Sequence, residues 1–324
     1  MRMIKIGRVM FCFLTSIAVA LILTSSPTCL AQAPDFSNPP SVKRPRGNQP
    51  RETTPARPKP STPARPSNAK KSKFPAPEIV DLETKDGVKL VCTWFPPEGA
   101  GKPAEPAKNG ATQTAQPNPA GKTTSPFILL HDWDGSRTDL LYMARYLQVA
   151  GHAVIVPDLR GHGESLEVEG SDRPIDRGRI RKKDLPTVLA DIEACKKFLM
   201  RKNDAGVVNI DLLNVGAVGQ TSLLAMQWAV SDWSWAPVGS IKQGQDVKSL
   251  LLIAPTQKFK GVSMKPMLKH PLFVGGPADP LPLLILYSEL DSGSAEDATK
   301  IYEGIKKGRS RYAKAWRKLS LIHI

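Results

Sequence analysis

The stretch "NVGAVGQTSLLAMQWA", Asn214 to Ala229, reads as a strand that passes through a tight glycine turn into a helix. A turn of this kind can do two sorts of chemistry. It can lift a nucleophilic side chain out of a sheet, or it can present helix N–H groups to an anion, where the helix dipole favours negative charge. The anion reading is weak here, because "GAVGQTS" is only G-x-x-G, lacks the G-x-G-x-x-G spacing, and leads into "SDWSWAP" rather than into a strand ending in an acidic residue. Dinucleotide binding is therefore not expected. No His-Glu-x-x-His or paired-cysteine spacing appears either, so neither a metal nor a cofactor is expected. The nucleophile reading needs a side-chain oxygen or sulfur at the turn, and Gly216, Ala217, Val218, Gly219 and Gln220 supply none. Ser222 lies further into the helix and should face another way; it is the alternative, displaced nucleophile, and its other reading is a helix-surface or small packing residue.

The elements that would position this turn are short apolar runs alternating with amphipathic helices. "EIVDLET", the turn "KDG" and "VKLVCTWF" predict a hairpin, with Val88, Leu90, Cys92 and Trp94 on one face at period two. "FILLH" predicts a strand, and Leu140, Met143, Ala144 and Leu147 mark a helical face that stops at Gly151. "HAVIVPD" is the next strand, followed by a helix from Asp184 to Met200, a strand at "VVNIDLLNVG" and a helix from Thr221 to Val230. "VKSLLLIAP" and "LPLLILYSELD" are two more apolar runs, and Ser294 can cap a last helix through Lys307. Apolar runs separated by helices imply parallel strands buried on both faces. The expected fold class is α/β: one doubly wound, mostly parallel sheet with helices on both faces and an antiparallel N-terminal hairpin.

Three stretches together resemble the α/β-hydrolase fold superfamily, over roughly Glu78 to Gly308. They are "LLHDWDGS", similar to an oxyanion loop; "VIVPDLRGHGES", close to the Asp-x-Arg-Gly-His-Gly-x-Ser turn of many members; and "LLILYSELD", which puts Asp291 where the family carries its acid. In that family the nucleophile elbow is G-x-S-x-G. Counting from the strand, Gly216 and Ala217 match the first two positions, Val218 takes the serine position, and Gly219 and Gln220 follow. Counting back from the helix puts Gly219 there instead, and neither count yields a serine. The chain is expected to be a divergent member without that serine, with Val218 as the vestigial position.

The oxyanion loop departs from the family as well. His131 is followed by Asp132 and Trp133 where His-Gly is usual. A carboxylate beside a developing oxyanion would repel it, and tryptophan could narrow the approach. Asp158, Arg160, Gly161, His162, Gly163 and Ser165 are expected to build a structural turn, with His162 orienting it and the Ser165 hydroxyl satisfying backbone groups. Asp291 is a candidate acid that could equally cap a turn, and His131 is expected to close its loop structurally. The residues between Pro255 and Leu281 occupy the cap position and are few, which implies a minimal cap.

The chain ends are compositionally distinct. Arg2, Lys5 and Arg8, an apolar run from Val9 to Leu23 and the exit "TSSPTCLAQA" read as a signal peptide over residues 1–31, so export is expected. Residues 32–77 are a basic, Pro-rich arm too poor in apolar residues to offset the entropy of ordering, and a candidate for binding an anionic envelope polymer. The formal charge of +15 is concentrated there: residues 34–77 carry +8, leaving +4 after Pro77, so no nucleic-acid partner is expected for the folded part. Residues 78–318 form the domain, with 98–125 expected as a disordered surface insertion. "LSLIHI", residues 319–324, looks like a translated sequencing adapter joined to a truncated reading frame, so His323 is given no role. Cys92 and Cys195, the cysteines outside the signal, are expected as buried small apolar residues.

Three functions fit these residues. The first is a pseudohydrolase that binds a small-molecule or protein ligand without acyl chemistry. The second is an active hydrolase of esterase or peptidase type with a non-standard nucleophile or an activated water. The third is an envelope-associated structural protein that binds through its arm.

Overall fold

The computed structural model describes residues 74–99, 119–236, 238–239, 242–276, 279–310 and 319–323. The segment expected as a signal, most of the basic arm and residues 100–118 of the insertion lie outside the described residues. Among those described, no helix is long and apolar enough to cross a membrane.

The strands are β1 (Glu78–Glu83), β2 (Val88–Phe95), β3 (Pro126–Leu130), β4 (Ala153–Pro157), β5 (Glu167–Val168), β6 (Leu213–Val218), β7 (Val247–Ile253), β8 (Lys258–Phe259), β9 (Val262–Ser263), β10 (Leu283–Tyr287) and β11 (Leu319–His323). The main sheet runs β1-β2-β4-β3-β6-β7-β10-β11, with β5 paired to β2. From β4 to β11 every pairing is parallel, and the hairpin β1-β2 joins antiparallel at one edge. Helices α1 (Leu141–Val149), α2 (Leu185–Asp204), α3 (Thr221–Ser234), the short α4 (Pro271–Val274) and α5 (Ser292–Arg309) complete it. Val154 and Val156 of β4 face the cluster built with α1, whereas Ala153 and Ile155 face the cluster built with α2 and α3. The all-buried runs PFILL and AVIVP follow from this two-sided covering.

Two boundaries differ from expectation for local reasons. The run "VVNIDLLNVG" becomes a strand only at Leu213, because the Asn209 side chain accepts from Asp211 N and starts a 3-10 turn over Ile210–Leu212. The last helix is capped by Asp291, whose carboxylate accepts from Ser294 N at 3.3 Å, rather than by Ser294.

Parts of the segments expected as arm and insertion are held by the domain. Pro75 O accepts from Gln148 Nε2 at 3.2 Å, and Pro119–Lys122 forms a 3-10 turn whose Lys122 O accepts from Asn209 Nδ2 at 2.9 Å. Leu319–His323, expected as an adapter artefact, pairs in parallel with β10. An apolar strand-former docks on an open sheet edge whatever its origin. Cys92 and Cys195 are buried free thiols, and burial, with Cys195 beside it, pushes the Cys92 thiol up.

Candidate active site

Strand β6 delivers the turn. Gly216 sits between Leu129 and Leu251 of the neighbouring strands, where an added Cβ would lie 2.7 Å from Leu129 Cδ2, so close strand packing accounts for this glycine. At the end of β6 the left-handed residue is Gly219, with φ +58°. A sharp strand-to-helix elbow presents its side chain from the left-handed position. Gly219 thus holds the sharp point of the turn, and Val218, the expected vestigial position, precedes it by one residue. Period-two alternation carries Val218 to the opposite side of the sheet, where it packs half-buried against the cluster around Phe95 and Leu129. Gly219 N donates to Ile253 O at 2.8 Å, which ties the elbow to β7.

The oxyanion loop reaches into the same place. Asp132 Oδ1 accepts from Gln220 N at 2.9 Å and from Trp133 N at 2.8 Å. These two amides, one after the elbow residue and one on the β3 loop, converge on a single carboxylate oxygen. A Cβ built on Gly219 would overlap that carboxylate, the most distant of its three nearest atoms being Asp132 Oδ2 at 2.8 Å. Asp132 thus sits between the two amides.

Trp133 is 5% exposed and turned into the protein. Its ring packs on Phe259 of the small β8-β9 hairpin at 4.9 Å and edge-on to His162 at 4.6 Å. Tryptophan thus forms the floor under the cap hairpin, and the cap itself is two two-residue strands and a short helix.

His131 is held between the loop after β3 and the end of β4. Its Nε2 accepts from Leu159 N at 3.1 Å and its Nδ1 lies 2.7 Å from Asp132 O, which makes Nδ1 the protonated nitrogen. Burial pushes its pKa down, so the ring is neutral. Thr221, which sequence reading passed over, donates its hydroxyl to His131 O at 2.9 Å and locks the loop to α3.

The "DLRGHGES" turn is structural throughout. Asp158, fully buried, accepts from Arg137 N at 2.7 Å and from Glu164 N at 3.0 Å, and pairs with the Arg137 guanidinium. Gly163 lies against Asp158, with no room for a Cβ. Arg160 clamps Asp191 through Nε at 2.8 Å and Asp86 through Nη1 at 2.6 Å, while Gly161 takes a left-handed turn against Arg177. His162 Nδ1 faces Arg160 O at 3.0 Å in its own turn, and Nε2 lies 2.6 Å from Trp133 O. Ser165 Oγ accepts from Val91 N at 2.8 Å.

The remaining candidates do not converge on the elbow. Asp291 is exposed and caps α5; among the described residues no hydrogen bond or ion pair joins it to Gly219, Asp132 or a histidine. Ser222 is fully buried and directs its hydroxyl to Ala217 O at 3.4 Å, so it is a packing residue rather than a helix-surface one. Sequence reading also missed Arg177 and Lys260. Arg177 Nη1 donates to Trp133 O at 2.9 Å, and the Lys260 ammonium lies 5.0 Å over the Trp133 ring. The clustering of cations in their two loops was the available signal.

No family model and no curated protein matches the sequence. Solved structures similar to the chain include esterase 2 of Thermogutta terrifontis phosphoramylated by tabun, at 14% identity over 78% of this chain and 84% of that one, TM-score 0.49. An esterase of Pyrococcus furiosus is similar at 14% identity over 77% and 81%, TM-score 0.49. A dienelactone hydrolase from Anabaena variabilis is similar at 14% identity over 76% and 86%, TM-score 0.44. Likeness at this identity concerns fold alone. The fold of this chain is a mostly parallel sheet between helices with an antiparallel hairpin at its N-terminal edge.

Proposed function

We propose that this chain is an exported α/β-hydrolase-fold protein that binds a ligand or partner without acyl-enzyme chemistry. One observation carries the reading: the Asp132 carboxylate accepts both converging amides and fills the space that a side chain on residue 219 would need. Acyl transfer needs an attacking atom at the elbow and empty donors for the developing oxyanion. Glycine offers no attacking atom, and a resident negative charge both occupies the donors and repels a second one. A donor pair of this kind is worth several kcal/mol of transition-state stabilisation, about 3 for a single donor. Export is supported by the graded N-terminal segment of basic, apolar and small residues.

The experiment is labelling of the purified chain with a fluorophosphonate probe, together with turnover of p-nitrophenyl esters. No labelled serine and no turnover above buffer is the expected result; a labelled serine, Ser222 included, would overturn the reading. A second reading, a hydrolase with a non-standard nucleophile, has the same carboxylate in its favour, since Asp132 stands in the attacking position. It requires that ester turnover be present in the parent chain and vanish in Asp132→Asn.

A further inference from the structure

The folded part of the chain concentrates its positive charge in two loops. Between Ser171 and Asp184 six cations, Arg173, Arg177, Arg179, Arg181, Lys182 and Lys183, face three carboxylates. Between Thr256 and Gly276 stand Lys258, Lys260, Lys265 and Lys269, with no carboxylate at all. Together these loops carry a formal excess of +7, more than the +4 of everything after Pro77, so the remainder of that region is net negative.

The two loops meet over the candidate site. Arg177 reaches Trp133 O from one side at 2.9 Å, and Lys260 lies 5.0 Å over the ring of the same tryptophan from the other. Thr256, at the start of the second loop, donates its N–H to Gly219 O at 3.4 Å. Two of the three carboxylates of the first loop are engaged locally: Asp176 accepts from Gly178 N at 2.8 Å, and Asp184 from Arg181 N at 2.9 Å. Among the described residues, Arg173, Arg181, Lys182, Lys183, Lys258, Lys265 and Lys269 form no ion pair, and all seven are exposed. Self-repulsion among such charges is unfavourable and grows as salt is lowered. The hairpin tip carries a second unfavourable feature, since Lys260 adopts φ +45° ahead of Gly261 at +75°, where Asn-Gly is the easy pair. Left-handed backbone at a non-glycine residue is unfavourable.

We propose that this face binds an acidic polysaccharide, a polymer carrying carboxylates at short intervals, across Arg173–Lys183 and Lys258–Lys269. Four of its cations are guanidinium groups, which take carboxylates or phosphates in two-point hydrogen bonds, and the face lacks the features that a lipid surface or nucleic-acid bases would use. The exposed large apolar side chains of the domain, such as Trp235 and Leu290, lie outside both loops, so the face lacks a wedge for a lipid surface. Its rings, Trp133 and Phe259, are buried at 5% and 2% exposure, so it offers no stacking platform for nucleic-acid bases. This partner rests on the non-catalytic reading above, and because turnover and polymer binding are separate measurements, either can fail with the other intact.

The test uses the full chain with polygalacturonate, against duplex DNA of matched charge, at two salt concentrations. One variant combines Arg179→Gln, Arg181→Gln, Lys182→Gln, Lys183→Gln, Lys265→Gln and Lys269→Gln; another neutralises the cations of residues 34–77. The parent chain is expected to bind polygalacturonate more tightly than DNA, with affinity falling as salt rises. The face variant is expected to lose at least about tenfold with Tm unchanged, and the arm variant less than that. Bound polymer is also expected to protect Lys182, Lys183, Lys265 and Lys269 of the parent chain from acetylation, a readout independent of any variant's folding. Binding of the face variant within about twofold of the parent, equal affinity for DNA, or unprotected lysines would each overturn the proposal.

Discussion

The carboxylate of Asp132 fills the volume that a side chain on Gly219 would need, and its Oδ1 holds the two amides that flank that volume at 2.8 and 2.9 Å. The two residues are 87 positions apart and each makes sense only with the other. A glycine at the elbow leaves a space, and the aspartate closes it with hydrogen bonds that would otherwise be missing from two N–H groups.

This relationship predicts a coupled pair of substitutions. Gly219→Ser should be destabilising by roughly 2–4 kcal/mol, because it adds left-handed strain to an overlap with the carboxylate. Asp132→Gly alone should be destabilising by about 1–3 kcal/mol, since two amides lose their acceptor. The double variant should be more stable than the sum of the two, by about 1–3 kcal/mol, because the overlap is gone. Urea denaturation of the four proteins measures the coupling; strict additivity would show that the two residues do not share the space.

Arg160 gives a pH dependence. Its guanidinium holds the Asp86 carboxyl down at about 2, chiefly by hydrogen bonding. Desolvation pushes the Asp191 carboxyl the other way, to about 6, although three Arg160 donors oppose this; the lowering at half-exposed Asp86 is the direction that geometry and solvent access both support. With its folded pKa depressed, Asp86 binds fewer protons folded than unfolded between about 2 and about 4. Its contribution is therefore complete above about pH 4 and lost as pH falls through about 2. After allowance for solvent screening of a pair whose carboxylate is 37% exposed, it amounts to about 1 kcal/mol. Asp86→Asn should flatten the stability curve over that window alone, as read from urea midpoints between pH 5 and pH 2.

A buried charge network at the other end of the sheet predicts a large and asymmetric effect. Lys196 Nζ contacts Asp232 Oδ1 at 2.6 Å and Asp246 Oδ2 at 2.7 Å, and Asp232 Oδ2 also accepts from Asp246 N at 2.8 Å. Asp232→Ala strands a buried ammonium beside one remaining partner and should cost about 3–5 kcal/mol. Lys196→Met with Asp232→Leu removes two of the three charges, leaves Asp246 paired with Lys242 at 2.6 Å, and should cost less than Asp232→Ala alone. Thermal unfolding of both variants checks the order.

Much of the architecture was legible in the sequence. The run AVIVP between "GH" and "DLRGHGES" can only be a strand covered on both faces, and the period-two order of Val88, Leu90, Cys92 and Trp94 requires a half-covered hairpin. The turn from Asp158 to Ser165 was recognisable in the sequence but its partners were not, because Arg137, Asp86, Asp191 and Val91 reach it from other elements. The absence of a hydroxyl from Gly216 to Gln220 needed no structure. Which of those residues stands at the elbow did need one, because two counts of a glycine turn differ by a residue and only the backbone torsion of Gly219 separates them. The place of Asp132 was decided by tertiary structure alone. A carboxylate next to an oxyanion loop reads as a nearby repulsive charge, and that it turns inward to accept from Gln220 depends on a strand crossing that brings the end of β3 beside the end of β6. The meeting of two basic loops on Trp133 has the same origin. Local patterns determine which face of each element is buried, whereas contacts between distant loops depend on which strand ends the sheet order makes neighbours.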